Sequence, residues 1–194
     1  MLSDADADAF VTAFNAKQGN TQSYQADFKQ QLQLRGLKRP AESHGQIFYR
    51  APADLLMRYD QPAGEFVLMT GPETWFKKTG RPLLHRTQTN TGGDPGKSLL
   101  MLFRNDPALV REQFHVAIER TNAVLHVTLT PKKSDPRMRL VAIENTVTDP
   151  GLEVLTVRTI FEGNNQITYE FTNAKRNEPL DAALFAEPRQ EPRR

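Results

Sequence analysis

Hydrophobic and polar residues alternate along the first long segment that follows residue 22. Tyr24, Ala26, Phe28, Leu32 and Leu34 fall on one side, and the glutamines and charged residues between them fall on the other. A period of two is typical of a β-strand with one buried face. The segment therefore predicts a long strand with one face in water.

The same period continues between residues 45 and 78. Ile47 and Tyr49 are two residues apart, and so are Leu55, Met57 and Tyr59. Turn residues interrupt the block at Ala51-Pro52, Gln61-Pro62, Gly71-Pro72 and Thr79-Gly80. Short alternating runs separated by such turns indicate an antiparallel β-meander.

Further strands are predicted in the second half of the chain, again separated by turn residues. They are Phe114 to Glu119, Val124 to Thr130, Met138 to Thr146, Leu152 to Phe161 and Gln166 to Thr172. Roughly ten sequential antiparallel strands without βαβ alternation exceed the usual sheet of about five. We expect an α+β, mainly antiparallel fold: an incomplete β-barrel with a short helical lid over an apolar concave face.

Three short helices are predicted around this sheet. The first begins at Ser3, places Phe10 and Phe14 on one side, and ends at Gly19-Asn20. The apolar run 98–103 predicts a second helix laid on the apolar face, with a buried strand as the alternative. Pro107 in a first turn predicts a third helix through Glu112.

Length and composition limit the functional classes. The 194 residues fit one domain, expected over 1–185 with a disordered, charged tail over 186–194. With 25 basic against 23 acidic side chains and little clustering, nucleic acid is not an expected partner, and we expect a monomer. The start MLSDADADAF lacks signal-peptide features, so an exported protein would be the mature form behind an added Met1.

Motifs for catalysis, metals and cofactors are weak. The stretch 92–98 ends in Gly-Lys-Ser, but Thr91 stands where a phosphate-binding loop needs its first glycine. The four histidines are far apart and there is no cysteine, which argues against a metal site. No serine lies in a G-x-S-x-G elbow. Paired carboxylates need no sequence signature, but nothing points to them, and we predict neither an enzyme nor a cofactor.

The remaining feature is a surplus of large apolar side chains, more than one thin sheet can bury. They are Phe10, Phe14, Tyr24, Phe28, Ile47, Tyr49, Leu55, Met57, Tyr59, Leu99, Leu100 and Leu102. Two explanations remain open: the helices fill the concavity completely, or the concavity binds an apolar ligand.

Several strings, taken in order, resemble the outer-membrane lipoprotein carrier family, LolA and its relatives. They are SYQADFKQ from Ser23, GQIFYRAP from Gly45, LLMRY from Leu55, TWF from Thr74, LFRN from Leu102, LTPK from Leu129, ITYEF from Ile167 and LDAALF from Leu180. The resemblance spans nearly the whole chain. It implies a periplasmic carrier whose apolar cavity takes the acyl chains of lipoproteins, with an inner-membrane release complex and an outer-membrane acceptor as partners.

The resemblance also assigns roles by position. Leu55 and Met57 match cavity residues, and Leu99 to Leu102 match the apolar lid. The family's lid latch is an arginine just before the meander proline, where this chain has Ala51 preceded by Arg50. Alternation places Arg50, the latch candidate, on the outer face. A LolA-like lipid binder or sensor domain is therefore the alternative to a lipoprotein carrier.

Overall fold

The computed structural model describes residues 4–87, 107–133 and 139–188. Within them we number the helices and strands in chain order. They are α1 Asp4–Gly19, β1 Ser23–Gln33, β2 Ala41–Arg50, β3 Asp54–Gln61, β4 Phe66–Thr70, β5 Glu73–Lys77, β6 Leu84–Thr87, α2 Pro107–Gln113, β7 Phe114–Thr121, β8 Val124–Pro131, β9 Leu140–Thr148, β10 Val154–Phe161 and β11 Asn165–Arg176. Short 3₁₀ turns occupy Glu162–Asn164 and Ala182–Phe185.

These strands form one open antiparallel sheet in the order β6-β5-β4-β3-β2-β1-β11-β10-β9-β8-β7. The expected class, mainly antiparallel and not closed into a barrel, is confirmed. Two meanders meet in the middle, where β1 pairs with β11 and Phe28 lies opposite Phe171. The strictly sequential order that we expected is therefore wrong at this one junction, because the first and last strands pair across the length of the chain.

Most predicted elements lie where the alternation indicated. The helix from Pro107 and the five strands of the second half agree to within a few residues. Strand β6 was not predicted, because its side chains are exposed and lack an apolar alternation. The predicted apolar lid over 98–103 and the glycine-rich stretch 92–98 lie outside the described residues.

The sheet has two differently covered faces. The inner face, which α1 covers, carries the larger apolar cluster, with Phe14 of the helix packed among strand residues such as Phe28 and Ile47. The outer face carries a smaller cluster of Phe48, Leu56, Leu68 and Trp75, which Phe185 covers from the C-terminal 3₁₀ turn. Neighbours Ile47 and Phe48 thus enter opposite clusters, as the strand period requires.

Candidate functional site: the inner face and its helix

The predicted contact residues that fall in the described ranges lie together on the inner face. The buried members are Phe14, Tyr24, Phe28, Ile47, Tyr49, Leu55 and Met57, and Phe10 and Tyr59 are partly buried against them. Ile47 and Leu55 are fully excluded from water, each with 0% exposure. Leu99, Leu100 and Leu102 lie outside the described residues.

The second meander extends this apolar surface, and none of its residues were among the predicted contact residues. The same cluster includes Phe114, Ile118, Leu125, Val127, Ile143, Val147, Val154, Val157, Tyr169 and Phe171. Their hydrophobic alternation could have identified these residues from sequence, because it has the same period as in the first meander. What sequence alone did not show was that the two meanders share one face through the β1–β11 pairing.

Aromatic rings pack over a glycine near the middle of the inner face. Phe28 and Tyr59 are the register partners of Gly45 from either side, and their rings meet edge to face with centroids 5.2 Å apart. A Cβ at Gly45 would lie 2.0 Å from the carbonyl oxygen of Arg58. Only glycine allows this close approach of the strands.

Helix α1 lies on this face through an aromatic pair. The rings of Phe10 and Phe14 stack with centroids 5.6 Å apart and pack against the cluster. Nearer the start of the helix, an exposed ion pair joins Asp8 to Arg111 of α2, with Oδ1 and Nη2 2.7 Å apart. Exposed ion pairs contribute little to stability. The stronger attachment of α1 lies at its other end.

That attachment is a polar network around Arg176, at the end of β11. The Arg176 Nε donates to both carboxylate oxygens of Glu153, at 3.2 and 3.0 Å. Its Nη1 donates to Gln18 Oε1 at 3.2 Å and to Thr21 Oγ1 at 2.9 Å. Its Cζ lies 4.9 Å from the centroid of the Tyr24 ring. One side chain thus joins α1, β1 and the residue before β10, and sequence analysis missed it because its partners are distant in sequence.

Two pKa values change in this network. Burial by itself raises the pKa of Glu153, but hydrogen bonds and charge attraction from Lys17 and Arg176 outweigh it, so the pKa lies below its ordinary value. Burial raises the pKa of Tyr24 to about 12 against a lowering effect of Arg176. At neutral pH the network therefore holds an ionised Glu153 between two cations, next to a neutral phenol.

Arg50 lies on the other side of the sheet. Its Nε and Nη2 donate to Asp54 Oδ2 at 3.0 and 2.6 Å, and its Cζ lies 4.5 Å from the centroid of the Phe185 ring. Phe185 belongs to the outer cluster. The alternation of β2 therefore continues through Arg50, and in this conformation its guanidinium does not reach the inner face.

The inner face offers binding surface rather than reactive groups. In residues 4–87, 107–133 and 139–188, no three histidine or acidic side chains are grouped as a metal site would require. None of the helices in that part of the chain is long and apolar enough to cross a membrane. Among the residues described there, the inner face combines apolar side chains with a polar network at its rim, which suits an apolar ligand.

Comparison with known proteins agrees with this geometry. The family described as "Outer membrane lipoprotein carrier protein LolA" matches residues 19–187. No curated protein sequence matches the chain.

Solved structures share the fold at low sequence identity. A putative outer membrane lipoprotein-sorting protein domain from Vibrio parahaemolyticus has a TM-score of 0.51 and 10% identity, and the match covers 92% of this chain and 97% of that one. An uncharacterised conserved protein from Thermus thermophilus has a TM-score of 0.55 and 11% identity, with 94% of each chain covered. The Pseudomonas aeruginosa MucA/MucB complex has a TM-score of 0.56 and 14% identity, covering 94% of this chain and 61% of that one.

The family match covers most of the sequence, and these solved structures are similar to the chain in fold. The chain therefore belongs to the outer membrane lipoprotein carrier protein LolA family.

Proposed function

We propose that the inner face binds the acyl chains of a lipoprotein and that the protein carries them through the periplasm towards the outer membrane. One observation supports this proposal most directly. The residues predicted from sequence to contact an acyl chain, where described, lie in a single apolar cluster under helix α1. The release complex of the inner membrane and the acceptor of the outer membrane are proposed partners on the strength of family membership.

The energetics of such a surface suit a carrier. Each methylene removed from water contributes about 0.8 kcal/mol, so a long acyl chain needs no polar contact to bind. The inner residues are already buried by the protein itself, with Met57 at 2% exposure. Entry of an acyl chain therefore requires α1 to move and to carry its aromatic pair, Phe10 and Phe14, away from the cluster. Binding and helix displacement are coupled in this scheme.

The two faces of the sheet allow a direct test of where an acyl chain binds. Trp75 is the single tryptophan of the chain and lies in the outer cluster. Tyr59 lies against the inner cluster. Brominated fatty acids quench tryptophan fluorescence at short range. The experiment compares the wild type, which reports from the outer face, with the double variant Trp75→Phe/Tyr59→Trp, which reports from the inner face.

We expect a brominated acyl chain to quench the reporter at position 59 and to leave Trp75 nearly unaffected. Circular dichroism of both proteins controls for folding. Quenching of Trp75 alone would move the binding site to the outer face. Absence of quenching in both folded proteins would favour the filled core and contradict the proposal.

A lipid-sensing role is the second candidate, and the position of Arg50 favours it. The latch expected from the family would face the inner side, whereas Arg50 contacts Asp54 and Phe185 on the outer side. MucB, one of the structural neighbours, forms a complex with MucA. A sensor would bind lipid yet fail to transfer a bound lipoprotein to acceptor membranes, so a transfer assay separates the two roles. Native mass spectrometry of protein purified from membrane-containing lysate would identify the bound lipid.

A further inference from the structure

One polar side chain lies within the apolar row of the inner face. Asn145 of β9 is the register partner of Val127 on one side and of Val157 on the other. Directly paired residues of an antiparallel sheet point to the same face, and both valines belong to the inner cluster. Val157 is in turn opposite Tyr169 of β11. Asn145 therefore projects into the face proposed to bind acyl chains.

The amide oxygen of Asn145 has no hydrogen-bond partner in the part of the chain that the structure describes. The residue is only 9% exposed, and its Oδ1 is buried without a donor among the described residues. An unpaired buried acceptor disfavours folding, and an apolar residue of similar size would avoid that cost. Buried polar groups are otherwise nearly always satisfied, so this acceptor is a candidate for a donor that a ligand supplies.

We propose that Asn145 Oδ1 accepts a hydrogen bond from the amide N–H of an N-acyl ligand. This inference rests on the proposed function, because it places the ligand's acyl chain on the inner face. The chemistry of the linkage decides the preference. An amide offers an N–H donor next to its acyl chain, whereas an ester offers acceptors only and leaves Oδ1 unpaired. Asn145 then selects amide-linked over ester-linked amphiphiles, while the valines beside it contact the chain.

A matched pair of ligands tests the selection. N-dodecanoylglycine methyl ester and O-dodecanoylglycolic acid methyl ester differ only in an N–H replaced by an oxygen. Each is titrated, below its micelle concentration, against a fluorescent apolar probe bound to the full chain. We expect the wild type to bind the amide about tenfold more tightly than the ester, a difference of about 1.4 kcal/mol.

Two variants locate the effect. Asn145→Leu should bind both ligands with equal affinity, and its thermal midpoint without ligand should rise because the unpaired acceptor is gone. Thr159→Val is the matched control. Thr159 is 4% exposed and lies on the same face, between Ile143 and Ile167. We expect this variant to keep the preference for the amide.

The outcomes separate the inference from the proposed function. Equal binding of amide and ester by the wild type overturns the role of Asn145 and leaves acyl binding intact. Loss of the preference in both variants also overturns it, because the effect would then belong to the polarity of the whole face. A fall in the thermal midpoint of Asn145→Leu would show that Oδ1 already has a partner within the chain. Failure of both ligands to displace the probe contradicts the proposed function itself.

Discussion

Replacing Arg176 by glutamine should loosen helix α1 from the sheet. The Arg176 side chain is only 15% exposed, and its guanidinium joins Glu153 to Gln18 and Thr21 near the end of α1. Glutamine removes the charge and the forked geometry but keeps a similar stem. Most of the cost would arise at Gln18. Its Nε2 is already buried without a partner among the described residues, and its Oε1 would lose its donor as well.

The expected magnitude follows from these contacts. Breaking a buried ion pair by removing one partner costs about 3 to 5 kcal/mol. Glu153 is 34% exposed and keeps Lys17 as a partner, so water and the lysine recover part of that energy. We therefore expect a loss of about 2 to 3 kcal/mol in the free energy of unfolding. For a protein of this size the thermal midpoint should fall by about 4 to 12 °C.

The assay combines calorimetry with amide hydrogen exchange. Exchange should accelerate in α1 more than in the central strands β1 and β11, because the strands keep their backbone pairing whereas the helix loses its attachment. A fluorescent apolar probe should also enter the inner face faster, since Phe10 and Phe14 cover that face from the helix. Arg158→Gln is the control. Arg158 is an exposed arginine paired with Glu144 at 3.3 Å, and its loss should change stability by less than about 0.5 kcal/mol.

Equal stability losses in the two arginine variants would refute this reasoning, because they would show that the network is worth no more than a surface ion pair. Unchanged exchange in α1, with a lower thermal midpoint, would mean that Arg176 stabilises the sheet and not the helix attachment.

Four further predictions concern residues of the sheet and its surroundings. Gly45→Ala should strongly destabilise the protein in denaturant titrations, because its Cβ would lie 2.0 Å from the backbone oxygen of Arg58; a stability equal to that of the wild type would contradict the close approach. The pKa of Glu153 is lowered in the folded state, so its stabilising effect is present above the ordinary value of 4.5 and is lost as the pH falls through the folded-state pKa. Glu153→Gln should be less stable than the wild type at neutral pH, and the two stabilities should converge in acid. A difference in stability that does not change with pH would count against the lowered pKa. Phe185→Ala should lower the free energy of unfolding by about 3 kcal/mol, because it uncovers the outer cluster. Arg50→Leu should leave lipid transfer nearly unchanged. A change of more than about tenfold in transfer would mean that Arg50 reaches the inner face.

The alternation of side chains predicted the strands and the faces of most of them. It also predicted that the side chain of Arg50 lies on the other face of β2 from those of Ile47 and Tyr49. The contact of its guanidinium with Phe185 of the outer cluster agrees with this prediction. These properties are local, because the side chains of a strand point alternately to its two faces whatever the partner strand is. The resemblance added the family, which the match over residues 19–187 confirms.

Contacts between distant parts of the chain were decided by the tertiary structure alone. The pairing of β1 with β11 unites the two meanders, and residues 153 and 176 meet the end of α1 only because of it. The environment of Asn145 follows in the same way from its register with Val127 and Val157. Alternation predicts which face of a strand a side chain occupies. The partner of each strand and the segment that covers each face depend on which long-range arrangement buries the most apolar surface. No local pattern contains that information.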